Sequence, residues 1–569
     1  MPIDERAAHT GSRNRILDPR VLACALAWMA VILAVHRESP FTLVSAHGLL
    51  HAAIAERLLL APAVLPPENP FFAGEPLAYY WSFHLLVASV SRLFGIDVLH
   101  ALELWILVAA AGLVLLAAGL GRGLYGRIGP GLLISFLVLA GAQPQAPLVL
   151  LFRSLRHGGL PADDGSYLWG LVHPASAWMR LGDPFGQLGP LVNYYLNTTS
   201  RPLALTTLVG VVWALAVTLR SPHRGAPWLA GATALLALWS PILAIAGGLS
   251  LAGAVLAVEV SRSRGWLQLG GASALPWVPA AGALVAGILV ALPTYAHLLG
   301  GAAGEGNGLL GQGLGTAVAH TGWALASGWA LAALACLGIL RAPLERRLPL
   351  LVCGVAALPL LVATATVILP AGNFVNFFHA ALVLLAVPAA GAARGSDGEP
   401  SRGRALAIVA LFLPSLLLVL WTYTGRPPTE VVIQDGQLAQ RSGPRATIYR
   451  WLRVSSPLDA VVVIDPGPPT RASQGNTAEL PALTGRTLFT ERAHHYIVSP
   501  YPRAGQRVAI AQALARGEAL SAEGQQLLAA LARPVYVLVR GEARAAARAR
   551  WGEPVVATEP LALHRWQPR

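Results

Sequence analysis

The sequence contains no lysine; all 41 of its basic residues are arginine. It has only three cysteines, and charged residues make up 12% of its 569 positions. So little charge, set against 55% hydrophobic residues and a mean hydropathy of +0.57, excludes an ordinary soluble enzyme and points to a polytopic membrane protein. A formal charge of +13 would suggest a nucleic-acid partner in a soluble chain. Here the arginines fall in short loops between apolar runs, a pattern of membrane orientation, so no nucleic acid is expected. Cys24, Cys336 and Cys353 all fall in predicted spans, which leaves no disulfide framework and no cysteine metal site. The residues before the first apolar run are polar and Arg-rich without a small-residue cleavage site, which reads as an uncleaved anchor.

Crossing a bilayer takes roughly 20 apolar residues. The first run covers 21–35 and follows Arg6, Arg13, Arg15 and Arg20, which puts the N-terminus in the cytoplasm. Further spans are expected near 98–120, 128–142, 202–219, 227–240, 242–260, 273–298, 318–340, 348–370, 376–393 and 404–424. Every second loop is basic, carrying in turn Arg122 and Arg127, Arg220 and Arg224, Arg262 and Arg264, Arg341, Arg346 and Arg347, and Arg394, Arg402 and Arg404. The expectation is a multi-pass protein of the cytoplasmic (inner) membrane, with about 11 spans in a transmembrane domain of 1–424. Residues 425–569 then lie outside, on the periplasmic face. Their composition shifts to Asp, Gln, Thr and Arg, with buried strands at 460–466 and 534–540 and helices at 446–453, 508–516 and 522–532. That is a small α/β domain, without a Gly-rich phosphate loop or a nucleophile elbow.

Two outer loops stand out. The first, 38–97, reads as two amphipathic helices, 46–60 and 78–94, lying at the membrane surface rather than crossing it. Pro66, Pro67, Pro70 and Pro76 in PPENPFFAGEP rule out a continuous helix between them. The second, 143–200, is rich in Pro, Gly, Asp and aromatics.

Polar chemistry gathers on this outer side. Of 15 histidines, His9 and His223 are cytoplasmic in this topology, and His494, His495 and His564 are in the C-terminal domain. The other ten (His36, His47, His51, His84, His100, His157, His173, His297, His320 and His379) fall in outer loops or at outer span ends. His47 and His51 are one turn apart on one helical face, with Glu56 off that face. The pair suits a general base with an orienting partner, a shared divalent metal, or interfacial packing. Glu38 and Glu103 near outer span ends are either bases with a raised pKa or membrane-surface anchors. Arg153, Arg156, Arg180 and Arg201, with Asn193 and Asn197, supply cations and amides from the second loop, for a phosphate or for lipid headgroups. Asn373, Asn376 and His379 in GNFVNFFHA face the same compartment, as do His84 and His173.

The stretch HGLLHAAIAERL…PPENPFFAGEPLAYYW, with WLRVSSPLDAVVVIDP and ELPALTGRTLF further on, resembles a bacterial branch of the GT-C membrane glycosyltransferases. Protein mannosyltransferases and lipid A aminoarabinose transferases are familiar members. The resemblance implies transfer of a sugar from a polyprenyl-phosphate donor to a glycan, lipid or protein acceptor outside the membrane. It also implies a first-loop carboxylate as base. Yet there is no aspartate between Phe41 and Ile96, and Ser45 or His47 stands where one is expected. Either His47 takes over, oriented by His51 or Glu56, or a glutamate such as Glu38 does, or activity has been lost. Arg153, Arg180, Arg201 and His379 are then the candidates for the donor phosphate. His84, Glu103, His173, Asn193, Asn197 and Asn376 are candidates to line the substrate site. Two other classes compete: a flippase for lipid-linked sugars, and a catalytically silent assembly protein. A transporter more often shows inverted repeats and polar groups at mid-membrane, whereas here the mid-span positions are bland.

Overall fold

The computed structural model describes residues 18–38, 46–61, 65–160, 189–267, 276–301, 310–311, 314–368, 375–395, 399–423, 431–434, 437–440, 443–467, 474–491 and 501–567. Helix α1 (Pro19–Glu38) leads to the first long loop, which carries α2 (Ala46–Leu60) and α3 (Ser82–Phe94). Then come α4 (Val98–Tyr125) and the short α5 (Gly129–Ala140). The second long loop holds α6 (Ala146–His157) and the single turn α7 (Val192–Tyr195). The membrane region continues through α8 (Arg201–Thr218), α9 (Pro222–Trp239), α10 (Pro241–Ser263), α11 (Trp277–Gly301) and α12 (Leu314–Arg341). It ends with α13 (Leu344–Thr366), α14 (Val375–Ala389) with a 3-10 turn at Ala390–Ala393, and α15 (Arg402–Trp421). A short antiparallel pair, β1 (Leu310–Gly311) with β2 (Val367–Ile368), joins two of the inter-helix segments.

Among the described residues nine helices are long and apolar enough to cross a membrane. Two expected spans fall short of that measure. Helix α5 has 12 residues, and α9 carries His223 and Arg224 in its first turn, which dilutes its apolar character. Helix α14 is the most enclosed, with buried residues on every side. Small residues let its neighbours close in: a Cβ at Gly338 of α12 would come within 1.8 Å of the Pro388 carbonyl oxygen, and one at Gly121 of α4 within 2.3 Å of the Gly131 backbone of α5.

The first long loop departs from the amphipathic expectation in one of its two helices. Helix α3 is amphipathic: Phe83, His84, Val87, Ala88 and Ser91 are buried, while Arg92, Leu93 and Phe94 are exposed. At 13 residues it is about 20 Å long, too short to cross. It starts at Ser82 rather than 78, because Leu77–Trp81 form an irregular link, and it stops at Gly95, whose φ of +64° is the left-handed cap. Helix α2, in contrast, is buried continuously from Gly48 to Glu56. It is covered by α3 on one side and by the C-terminal domain on another, so its outer face meets protein.

That domain begins with the hairpin β3 (Val431–Gln434) and β4 (Gln437–Gln440), followed by α16 (Pro444–Ser455). Then come β5 (Val461–Val463), α17 (Gln474–Thr484), β6 (Thr487–Leu488), α18 (Ala504–Ala515), α19 (Ala522–Ala529), β7 (Val535–Arg540), α20 (Ala543–Trp551), β8 (Val556–Thr558) and β9 (Leu561–Trp566). The sheet order is β6-β5-β7-β9-β8, parallel across β6, β5 and β7 and antiparallel at β9 and β8. The two apolar runs read as strands are the neighbouring β5 and β7.

The proline-rich turn of the first loop docks on the β6 edge. Ala73 N–H donates to the Leu488 carbonyl and Leu488 N–H to the Pro70 carbonyl, both at 2.9 Å. Phe72 stacks on Tyr501 at 4.8 Å, with the Arg507 guanidinium 4.0 Å from the centre of its ring. Glu68 is clamped by Arg57 and Arg533 and accepts from Gly74 N–H at 2.8 Å. Burial pushes the Glu68 carboxyl up, but the two guanidiniums and the Gly74 N–H outweigh it and hold it below its ordinary value.

Candidate functional site

Helices α2 and α3 bring two histidines into contact. His51 Nδ1 lies 2.7 Å from His84 Nε2, the rings are stacked with centroids 4.9 Å apart, and both side chains are buried. Phe83, Tyr79 and Tyr80 surround them. Burial in this aromatic cage pushes His84 down to about 3, the Tyr80 backbone opposing it more weakly. His84 is therefore neutral at pH 7, and of the two facing ring nitrogens one donates and the other accepts. Two imidazoles on one tetrahedral metal stand roughly 3.3 Å apart, given metal–nitrogen bonds of about 2.0–2.1 Å. At 2.7 Å these nitrogens fit a shared proton and do not fit a shared metal. Among the described residues no three His, Cys, Asp or Glu groups converge as a metal site.

The cage continues into the second long loop. Tyr79 Oη donates to Tyr80 Oη at 2.6 Å, and Ser200 Oγ donates to Tyr80 Oη at 3.1 Å. Next to Ser200, the Arg201 guanidinium lies 4.6 Å from the centre of the Tyr194 ring. Tyr194 meets His379 edge-on at 4.5 Å, and His379 and Asn376 are buried on the first turns of α14. Asn193 Oδ1 accepts from Tyr423 Oη, and Asn197 Nδ2 donates to the same hydroxyl at 2.8 Å and to the Asn193 carbonyl at 2.7 Å. Six residues singled out from sequence thus fall along one line of contacts from the first loop to the second: His51, His84, Arg201, His379, Asn193 and Asn197. The arrangement sets imidazoles at one end and a guanidinium at the other, groups of the kinds that accept a proton and hold an anion.

The carboxylates lie elsewhere. Glu56 is five residues past His51, about 140° round the helix. Its Oε1 lies 3.1 Å from Arg453 Nη2 of α16, so it faces the C-terminal domain. Burial raises the Glu56 pKa, against the pull of Arg453. Glu103 sits 3.1 Å from His36 Nδ1, both buried, and Arg37 approaches at 4.0 Å. Glu38 is exposed at the end of α1. Asp97, just past the aspartate-free stretch, caps α4 by accepting from Leu99 N–H at 2.7 Å and His100 N–H at 3.1 Å.

His47 is on the first turn of α2, but its side chain lies outside the described residues, as do Arg180 and His173. Arg153 is half-buried on α6, which packs on α15 through Leu150 and Leu418. Sequence reasoning passed over Tyr79, Tyr80, Tyr194, Tyr423 and Arg453. A signal for the first three was present: a Tyr-Tyr doublet in each long loop, at 79–80 and 194–195.

Residues 20–170 match a family described as "Uncharacterized membrane protein (DUF2298)". No curated protein matches the chain by sequence. Among solved structures, ArnT from Cupriavidus metallidurans bound to undecaprenyl phosphate superposes with a TM-score of 0.52 at 11% identity, covering 95% of this chain and 97% of that one. Its apo form gives 0.51 at 11% identity, covering 95% and 98%. The arabinofuranosyltransferase AftD from Mycobacteria gives 0.51 at 15% identity, covering 94% of this chain and 35% of that one. At such identities the likeness is one of fold, and the GT-C architecture expected from the sequence is present.

Proposed function

We propose that this protein transfers a sugar from a polyprenyl-phosphate donor to a hydroxyl of an acceptor at the outer membrane face. The observation that carries this reading is the continuous line of contacts from the His51–His84 pair through Tyr80 and Ser200 to Arg201, Tyr194 and His379. The fold it shares with a transferase bound to undecaprenyl phosphate supports it.

In this reading the acceptor oxygen attacks the anomeric carbon as the bond from that carbon to the phosphate oxygen breaks. The acceptor proton passes to the imidazole of His47, one turn before His51 on the same helical face. His51, one turn further along α2, is itself held in place by His84. The electron pair leaves with the phosphate, where Arg201, backed by Tyr194 and His379, meets the developing charge. Inversion at the anomeric carbon follows from a single displacement. The sugar donor, the outer-face acceptor and the external C-terminal domain belong to this one proposal.

The test is transfer from an undecaprenyl-phosphate-linked sugar in proteoliposomes. His47→Ala should insert and purify like the parent while losing about 10²–10⁴-fold in rate. His51→Ala should lose less. Parental transfer by His47→Ala together with loss in Glu38→Gln or Glu56→Gln would make the base a carboxylate. If none of the three changes the rate, the proton-transfer assignment fails.

A further inference from the structure

On the side of α2 away from the histidine pair lies a cavity of about 210 Å³. Its walls are the last turns of α2 and α3, the α3–α4 corner, and α16 and α17 of the C-terminal domain. Four charged groups line it: Glu56, Asp97, Arg92 and Arg453. The signs cancel, two against two. Glu56 is oriented by Arg453, and Asp97 by the α4 N-terminus and by His100, whose Nδ1 is 3.0 Å from Asp97 Oδ2. Arg92 is exposed and makes no ion pair with any described residue.

The surroundings say what can reach this cavity. Leu93 is 75% and Phe94 63% exposed, directly between two lining residues, Arg92 and Gly95. A membrane-length helix starts three residues later, at Val98. The cavity mouth is thus at headgroup depth, with large apolar side chains beside it that water does not favour.

We propose that this cavity binds the headgroup of a zwitterionic phospholipid of the phosphatidylethanolamine class, its acyl chains running past Leu93 and Phe94. The phosphate meets the exposed Arg92 guanidinium, and the ammonium meets the carboxylates of Asp97 and Glu56. A purely anionic headgroup would gain the guanidiniums but face two carboxylates, and a quaternary ammonium could not donate hydrogen bonds to them. Because the walls come from both the membrane region and the C-terminal domain, the bound lipid would brace that domain on the bilayer. The inference does not depend on sugar transfer.

Native mass spectrometry of the full chain, equilibrated with defined phospholipids in detergent, tests it. Phosphatidylethanolamine should be retained about tenfold more strongly than phosphatidylglycerol or phosphatidylcholine, a difference of about 1.4 kcal/mol. Arg92→Gln, on an exposed position, should remove most of that preference, and Leu59→Trp, which fills the cavity from α2, should do the same. Equal retention of the three lipids, or an unchanged preference in both variants, overturns the proposal. So does equally strong competition by soluble glycerophosphoethanolamine, which would make the site one for a free solute.

Discussion

His51 and His84 share a hydrogen bond of 2.7 Å although 33 residues separate them and neither ring reaches solvent. One proton in that contact serves the two facing nitrogens. A histidine held well below its ordinary value of 6.5 contributes stability that is complete above pH 6.5. That stability is lost as pH falls toward about 3, because the unfolded ring takes up its proton first.

The melting temperature of the parental protein should therefore fall between pH 6.5 and pH 4, and His84→Phe should flatten that dependence. Thermal unfolding in detergent across this range measures it. The same slope in parent and variant would show that His84 does not carry the acid sensitivity.

The Glu56–Arg453 pair ties α2 to the C-terminal domain from a nearly buried position. Arg453→Met leaves a buried carboxylate without its partner and should cost about 3–5 kcal/mol. Glu56→Gln should cost less, since burial already disfavours the charged form of Glu56. A double-mutant cycle by chemical denaturation should give a coupling of about 1–3 kcal/mol. Additive losses would mean that the two side chains do not act together.

Tyr501 reaches across from the C-terminal domain to brace the link before the tyrosine doublet. Its hydroxyl accepts from Ala78 N–H at 2.7 Å and from Asn69 Nδ2 at 3.2 Å, and donates to the Pro76 carbonyl. Tyr501→Phe keeps the stack on Phe72 and should cost about 1–3 kcal/mol for the unsatisfied backbone groups. It should also free residues 76–80, read as faster proteolysis in the first long loop. Unchanged cleavage there would remove Tyr501 from the support of the cage.

For orientation, Glu523→Cys adds an exposed thiol to a domain that has no native cysteine. An impermeant maleimide should label it in intact spheroplasts, whereas Cys24, Cys336 and Cys353 in the spans should stay dark. Labelling that requires lysis would put the C-terminal domain, and the site beneath it, on the cytoplasmic side.

The membrane helices were legible because each carries its own evidence. A run such as 98–120 satisfies its backbone hydrogen bonds internally and needs no partner to be recognised as a helix in lipid. Strands β5 and β7 were legible for a related reason, as short runs of β-branched residues bounded by Pro and Asp or Arg. Helix α2 was not. His51, Glu56 and Arg57 look like the polar side of an amphipathic helix, yet their partners are His84, Arg453 and Glu68. No local pattern tells a charge facing water from one answered by a residue 397 positions away.

The site divides along the same line. From sequence come the turn-spaced His47 and His51 and the arginine and asparagines of the second loop, because these are properties of residue type and spacing. The pairing of His51 with His84 rather than with Glu56 comes from packing. So do the tyrosine bridge from Tyr80 to Ser200 and the covering of α2 by the C-terminal domain. Which way a helix turns its polar residues is settled by the surfaces on either side of it, and here those surfaces come from distant parts of the chain.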